Sequence, residues 1–170
     1  MSMKRVQSLL LVAAVVALTA ACKAPEQAAA PAPPDYRAVN GPAFDTYLEI
    51  WNTQDFDKLG DVFAENFRRM APDNNANGPE ELKSFMEQTL AAYPDFHIVA
   101  GESLYDNDLS FNQWTVTGTA TREDGTTVPI EVNGATMLRY ADGKITEEWV
   151  YYDTAQITGP VGQSTMPHAK

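Results

Sequence analysis

Cysteine is almost missing from this chain of 170 residues, in which Cys22 is the only one. No internal disulfide can form, and no cysteine metal site can be built. Histidine is nearly as scarce, at two, so no pair stands at ligand spacing. His168 falls near the C-terminus, which leaves His97, in Pro94-Asp95-Phe96-His97, as the single histidine of the folded part. Positive charge is short as well: 12 Lys and Arg stand against 23 Asp and Glu, a formal net charge of −11. Nucleic-acid binding needs clustered Lys and Arg to displace counterions, and electrostatic adhesion to anionic lipid needs the same groups. The composition argues against both. A Gly-rich phosphate loop, a G-x-S-x-G elbow and an H-E-x-x-H helix are all absent. No acidic cluster has metal-ligand spacing either, so neither metal nor cofactor is expected.

Long apolar runs are limited to one place. Lys4 and Arg5 precede an uninterrupted run from Leu9 to Ala21 that ends at Cys22. A basic start, a short apolar core and small residues before a cut describe a secretory signal, too short for a comfortable membrane span. Leu18-Thr19-Ala20-Ala21-Cys22 resembles the lipobox of bacterial lipoproteins, which implies acylation of Cys22 after removal of residues 1–21. Acylation would consume a thiol that is otherwise a liability in an oxidising compartment. Lys23 in place of aspartate implies, by the sorting rules of Gram-negative lipoproteins, an outer-membrane anchor facing the periplasm. Loss of Lys4 and Arg5 would take the formal charge from −11 to −13. Residues 22–35 are mostly Ala and Pro and read as a semi-stiff tether.

The folded part is expected over residues 36–158, with a loose tail over 159–170. Gly41-Pro42 reads as the start of a first helix, with Phe44, Tyr47, Leu48 and Trp51 as its apolar stripe. Asp55 reads as the cap of a short second helix that buries Phe56, Leu59, Val62 and Phe63. Gly78-Pro79-Glu80-Glu81 opens a third, with Leu82, Phe85, Met86, Thr89 and Leu90 inward. From Pro94 the period changes to two. Phe96–Leu104, Phe111–Thr121, Thr126–Tyr140 and Lys144–Asp153 read as strands, with Asp124-Gly125 and Asp142-Gly143 as hairpin turns, and a short piece near Asn66–Met70 as a possible fifth strand. Helices first and an antiparallel meander afterwards specify an α+β domain. On the last strand, alternation places Ile145, Glu147, Trp149, Tyr151 and Asp153 on one face, and Thr146, Glu148, Val150 and Tyr152 on the other.

Five segments then carry a resemblance. Tyr47–Leu59, Asn77–Phe85, Tyr93–Phe96, Trp114–Thr119 and Tyr140–Trp149, the last containing Asp-Gly-Lys-Ile-Thr-Glu-Glu-Trp, resemble in order the SnoaL-like relatives of polyketide cyclases, within the nuclear-transport-factor-2-like (NTF2-like) superfamily. The resemblance implies a cone of three helices wrapped by a curved, mostly antiparallel sheet, with an apolar pocket inside. It also implies frequent homodimers through the outer sheet face. The implied pocket would be lined by Tyr47, Trp51, Phe85, Trp114, Tyr140, Glu148, Val150 and Tyr152.

Cyclases of this family use an aspartate as acid and base, without metal or cofactor. Its position corresponds to Val150 here, and that of an assisting histidine lies near Thr136. Valine cannot carry a proton, so the cyclase reaction itself is not expected. Three groups remain as candidates for chemistry: Glu148, Asp153 and His97. Three functions follow: a lipid-anchored domain that binds a small apolar molecule unchanged, a cofactor-independent cyclase, isomerase or hydrolase with a relocated carboxylate, or a non-catalytic partner-binding module.

Overall fold

The structure, a computed structural model, describes Ala32 and residues 34–161. The stretch expected to be a signal segment, Cys22, His168 and nearly all of the expected tether lie outside the described residues. Among the described residues no helix is long and apolar enough to cross a membrane. The elements from Asp35 onward form one compact unit.

Helix α1 spans Tyr36–Thr53 and starts five residues before Gly41. The Asp35 carboxylate accepts from the Ala38 amide (3.1 Å), which satisfies a first-turn donor and sets the start there. Pro42 therefore sits inside the helix, not at its opening. Gln54, at φ +62°, ends it and returns its N–H to Ile50. The expected second helix is only a 3₁₀ turn, Phe56–Lys58, running into a single turn, α2, at Leu59–Val62. Asp55 does not cap it; its carboxylate meets Lys58 at 3.3 Å instead. Phe63 already belongs to β1, Phe63–Met70. Helix α3, Pro79–Ala92, follows the two-residue strand β2, Ala76–Asn77, and buries the expected stripe.

Four further strands complete the sheet: β3, His97–Asp106; β4, Leu109–Thr121; β5, Thr127–Ala141; and β6, Lys144–Tyr152. Their order is β2-β1-β6-β5-β4-β3, antiparallel throughout except for the β1–β6 pair. The hairpin turns need left-handed backbone, which Asn107 (φ +50°), Gly125 (+80°), Asp142 (+52°) and Gly143 (+77°) supply. This is the α+β cone of a curved six-stranded sheet with four helices. The outer face carries an apolar row in register, Leu104–Phe111–Met137–Trp149, of which Leu104 and Phe111 are exposed.

Strand β6 departs from simple alternation at one point. Tyr140 pairs with Ile145 but Arg139 pairs with Glu147, so Thr146 is an extra residue on its strand. Such a bulge inverts the parity of everything before it. Ile145 consequently faces the core with Glu148 and Val150, and not outward with Glu147 and Trp149. After β6, Asp153 accepts from the Ala155 amide (2.9 Å) and starts α4, Ala155–Val161. Gly159 and Pro160, expected in a loose tail, belong to that helix.

Candidate functional site

The inner face of the sheet and the stripes of α1 and α3 do not close completely. They leave a cavity of about 90 Å³ between them, room for several waters or a small organic molecule. Its walls are mostly apolar, with aromatic rings prominent among them. Trp51 of α1 stacks on Phe96 (centroids 4.9 Å apart, planes at 27°) and meets Phe85 of α3 edge-on at 6.1 Å. Trp114 of β4 lies over Gly134 of β5, where any side chain would strike the indole. Its Nε1 donates to Thr136 Oγ1 (2.9 Å), which fixes the ring as a wall.

One end of the cavity is polar. Parallel pairing of β1 with β6 sets Arg69 opposite Glu148, and both side chains point inward. Arg69 Nε stands 3.4 Å from Glu148 Oε2, with both side chains at least 95% buried. Tyr47 of α1 donates its hydroxyl to the same oxygen at 3.3 Å, which leaves Oε1 outside both contacts. Arg69 Nη1 reaches Asp73 Oδ1 at 3.2 Å and the Asn74 carbonyl, and its guanidinium rests on the Phe85 ring, 4.4 Å from the centroid. The Tyr152 hydroxyl is buried beside Asp73.

Burial dominates the ionisation of this group. It disfavours the carboxylate of Glu148 and pushes its pKa up to about 7, with Asp73 adding to the rise; Arg69 and the Tyr47 hydroxyl oppose it. The same burial raises the Tyr47 and Tyr152 phenols further above their ordinary range, so both stay protonated donors. Because the folded pKa of Glu148 exceeds its unfolded value of 4.5, the folded state binds the extra proton between those limits. Stability from this group is complete below about pH 4.5 and declines as pH rises to about 7. Asp95 and Asp124 act oppositely at lower pH, since hydrogen bonds from Thr119 and Thr126 hold their pKa values down. A stability maximum near pH 5 is therefore expected, and Glu148→Gln should flatten the decline from pH 5 to 8. An equal slope in the variant, by thermal melts at several pH values, would refute the assignment.

Seven of the eight expected pocket residues line the cavity: Tyr47, Trp51, Phe85, Trp114, Glu148, Val150 and Tyr152. Tyr140 does not. It is buried towards the β3–β4 turn, where its hydroxyl bonds to Ser110 Oγ at 2.8 Å. Val150 and Thr136, which the resemblance sets at and near the cyclase aspartate and histidine, are direct cross-strand partners on the cavity wall. Of the three candidates for chemistry, the structure brings only Glu148 to the cavity. Asp153 is exposed and engaged as a helix cap, and His97 is exposed at the start of edge strand β3. Sequence reasoning missed Arg69 and Asp73. Phe67 and Arg69, two apart on a short strand, share a face, and that spacing was the available signal for an inward arginine. Among the described residues no group of three His, Cys, Asp or Glu could hold a metal ion.

With the site in place, the chain can be set beside known proteins. The family model described as SnoaL-like polyketide cyclase matches residues 42–158. AclR of Streptomyces galilaeus, described as a proposed hydroxylase, superposes with TM-score 0.63 at 21% identity, over 74% of this chain and 96% of its own. IdmH of Streptomyces antibioticus, a proposed polyketide cyclase, gives 0.64 at 20%, over 72% and 98%. A protein of ketosteroid isomerase-like fold from Catenulispora acidiphila, crystallised in complex with trimethylamine, gives 0.63 at 19%, over 72% and 93%. At these identities the likeness establishes the fold. No curated protein sequence matches the chain.

Proposed function

The chain belongs to the SnoaL-like polyketide cyclase family, and from that premise we propose that its cone binds a small, largely apolar molecule whose one polar group meets Glu148. The observation that carries this reading is the aromatic-walled cavity closed at one end by Glu148, Tyr47 and Arg69. Apolar walls with few convergent polar groups are the usual construction of a small-molecule site. Binding is tested by titrating small aromatic alcohols, ketones and amines against tryptophan fluorescence, since Trp51 and Trp114 both line the cavity. Val150→Phe, which fills the space, should abolish the response. A response that survives in Val150→Phe places the ligand elsewhere and overturns the reading.

A second reading rests on Glu148 alone. A carboxyl with pKa about 7, in an apolar cavity beside a phenolic donor, is poised for proton transfer near neutral pH. The reaction class would be proton abstraction next to a carbonyl, with Glu148 as the base and Tyr47 holding its carboxylate. Val150 separates such chemistry from aldol cyclisation as the family's enzymes perform it. Turnover of activated ketones or esters should vanish in Glu148→Gln and persist in Asp153→Asn. Loss in the Asp153 variant alone would refute Glu148 as the acid–base group.

Anchoring is part of the same proposal. The run from Leu9 to Cys22 and the Ala/Pro tether support a domain held at the cell envelope by acylated Cys22. Cys22→Ser should shift the protein to the soluble fraction or leave an uncleaved precursor. Unchanged membrane partitioning would refute the anchor.

A further inference from the structure

The charges that face the cavity do not balance. Among the described residues three charged side chains line it: Arg69, Asp73 and Glu148. They come from β1, the β1–β2 loop and β6, while α1, α3, α4, β3, β4 and β5 contribute apolar, hydroxyl or phenol groups. The Tyr47 and Tyr152 phenols, held above their ordinary range by burial, are neutral donors. Two carboxylates thus share one guanidinium in a desolvated site. That guanidinium is already engaged by Asp73, the Asn74 carbonyl and the Phe85 face. When Glu148 is ionised, the cavity holds one excess negative charge. Around it stand aromatic rings, and ring faces attract cations through their quadrupole.

Resting on the reading that this cavity is a ligand pocket, we propose that its ligand is a cation: a small amine or quaternary ammonium with apolar substituents. Its positive centre would sit between the Glu148 carboxylate and the faces of the aromatic walls, and its substituents would fill the remaining space. A neutral ligand leaves the excess charge uncompensated in low dielectric, and an anion adds to it. Without a cation the imbalance is relieved by keeping Glu148 protonated, since a buried carboxylate needs its own partner. A bound cation supplies that partner. Binding also favours ionised Glu148, so the complex releases a proton and affinity rises with pH.

The test uses the full chain and three probes of nearly equal shape: choline, its neutral carbon isostere 3,3-dimethylbutan-1-ol, and the anion 3,3-dimethylbutanoate, read by calorimetry and tryptophan fluorescence at pH 5 and pH 8. Choline is expected to bind about tenfold tighter than the neutral isostere at pH 8, with the preference shrinking at pH 5. Glu148→Gln should erase the preference, and Asp73→Asn should reduce it if the first variant folds poorly. Equal binding of choline and its isostere, or a preference for the anion, overturns the cation assignment and leaves the pocket reading intact. Failure of all three probes to bind at millimolar concentration overturns both.

Discussion

Arg69→Met is expected to be among the most destabilising single substitutions in the domain, at about 3–5 kcal/mol at pH 8. The methionine keeps most of the apolar volume and the contact with Phe85, so the loss isolates charge. What remains is Glu148 and Asp73, both nearly dry, without the cation they share. Such a penalty depends on pH. Near pH 5 the Glu148 carboxyl is protonated in the folded state, and one of the two bare charges disappears. The variant should therefore regain a substantial part of its stability on acidification, in a range where the wild type gains less. Arg69→Met combined with Glu148→Gln should be more stable than Arg69→Met alone, because the pair is coupled. Urea denaturation of the wild type and the two variants at pH 5 and 8 makes these comparisons. An unfolding midpoint for Arg69→Met equal to the wild type at pH 8 would show that this ion pair carries no stability.

That ion pair also marks the boundary of what one sequence discloses. Asp142-Gly143 and Asp124-Gly125 were legible as turns because Gly125, Asp142 and Gly143 take left-handed backbone, a local property. The stripes of α1 and α3, Glu148 and most of the pocket wall were legible because helical and strand periods are local too. Arg69 opposite Glu148 is different. It exists only because β1 and β6 run side by side in parallel, a pairing between distant segments that no local pattern announces. The Thr146 bulge was hidden for a related reason, since alternation assumes that no residue is inserted, and the register with β5 alone reveals one. Gly41-Pro42 misled by being a good helix start in the wrong place. The cap is Asp35, six residues earlier, and its hydrogen bond decides the boundary. Asp153 was legible as a carboxylate near the pocket motif, yet the end of β6 turns it into a cap for α4.

Trp51→Ala is the second substitution expected to cost about 3–5 kcal/mol, through packing where Arg69 acts through charge. Trp51 is 6% exposed and joins three elements: it stacks on Phe96 before β3, meets Phe85 of α3 edge-on, and lies 6.5 Å from Tyr47 on its own helix. Each contact adds to the area the indole buries. Truncation would merge the vacated volume with the existing cavity, and collapse is resisted from both sides. On one side, Asn52 of α1 ties the helix to Ile98, donating to its carbonyl at 2.8 Å and accepting from its amide at 2.9 Å. On the other, Trp114 is pinned by Thr136. A cavity that cannot close leaves the full penalty in place. Tyr151→Ala, an exposed aromatic on the outer face, should by contrast change stability by less than about 0.5 kcal/mol. Denaturant midpoints for the two variants give the comparison, and an unchanged midpoint for Trp51→Ala would place the indole outside the core. The enlarged space makes a second readout available. Small aromatic molecules such as indole should raise the melting temperature of Trp51→Ala more than that of the wild type, because a ligand that binds only the folded state stabilises it in proportion to its affinity.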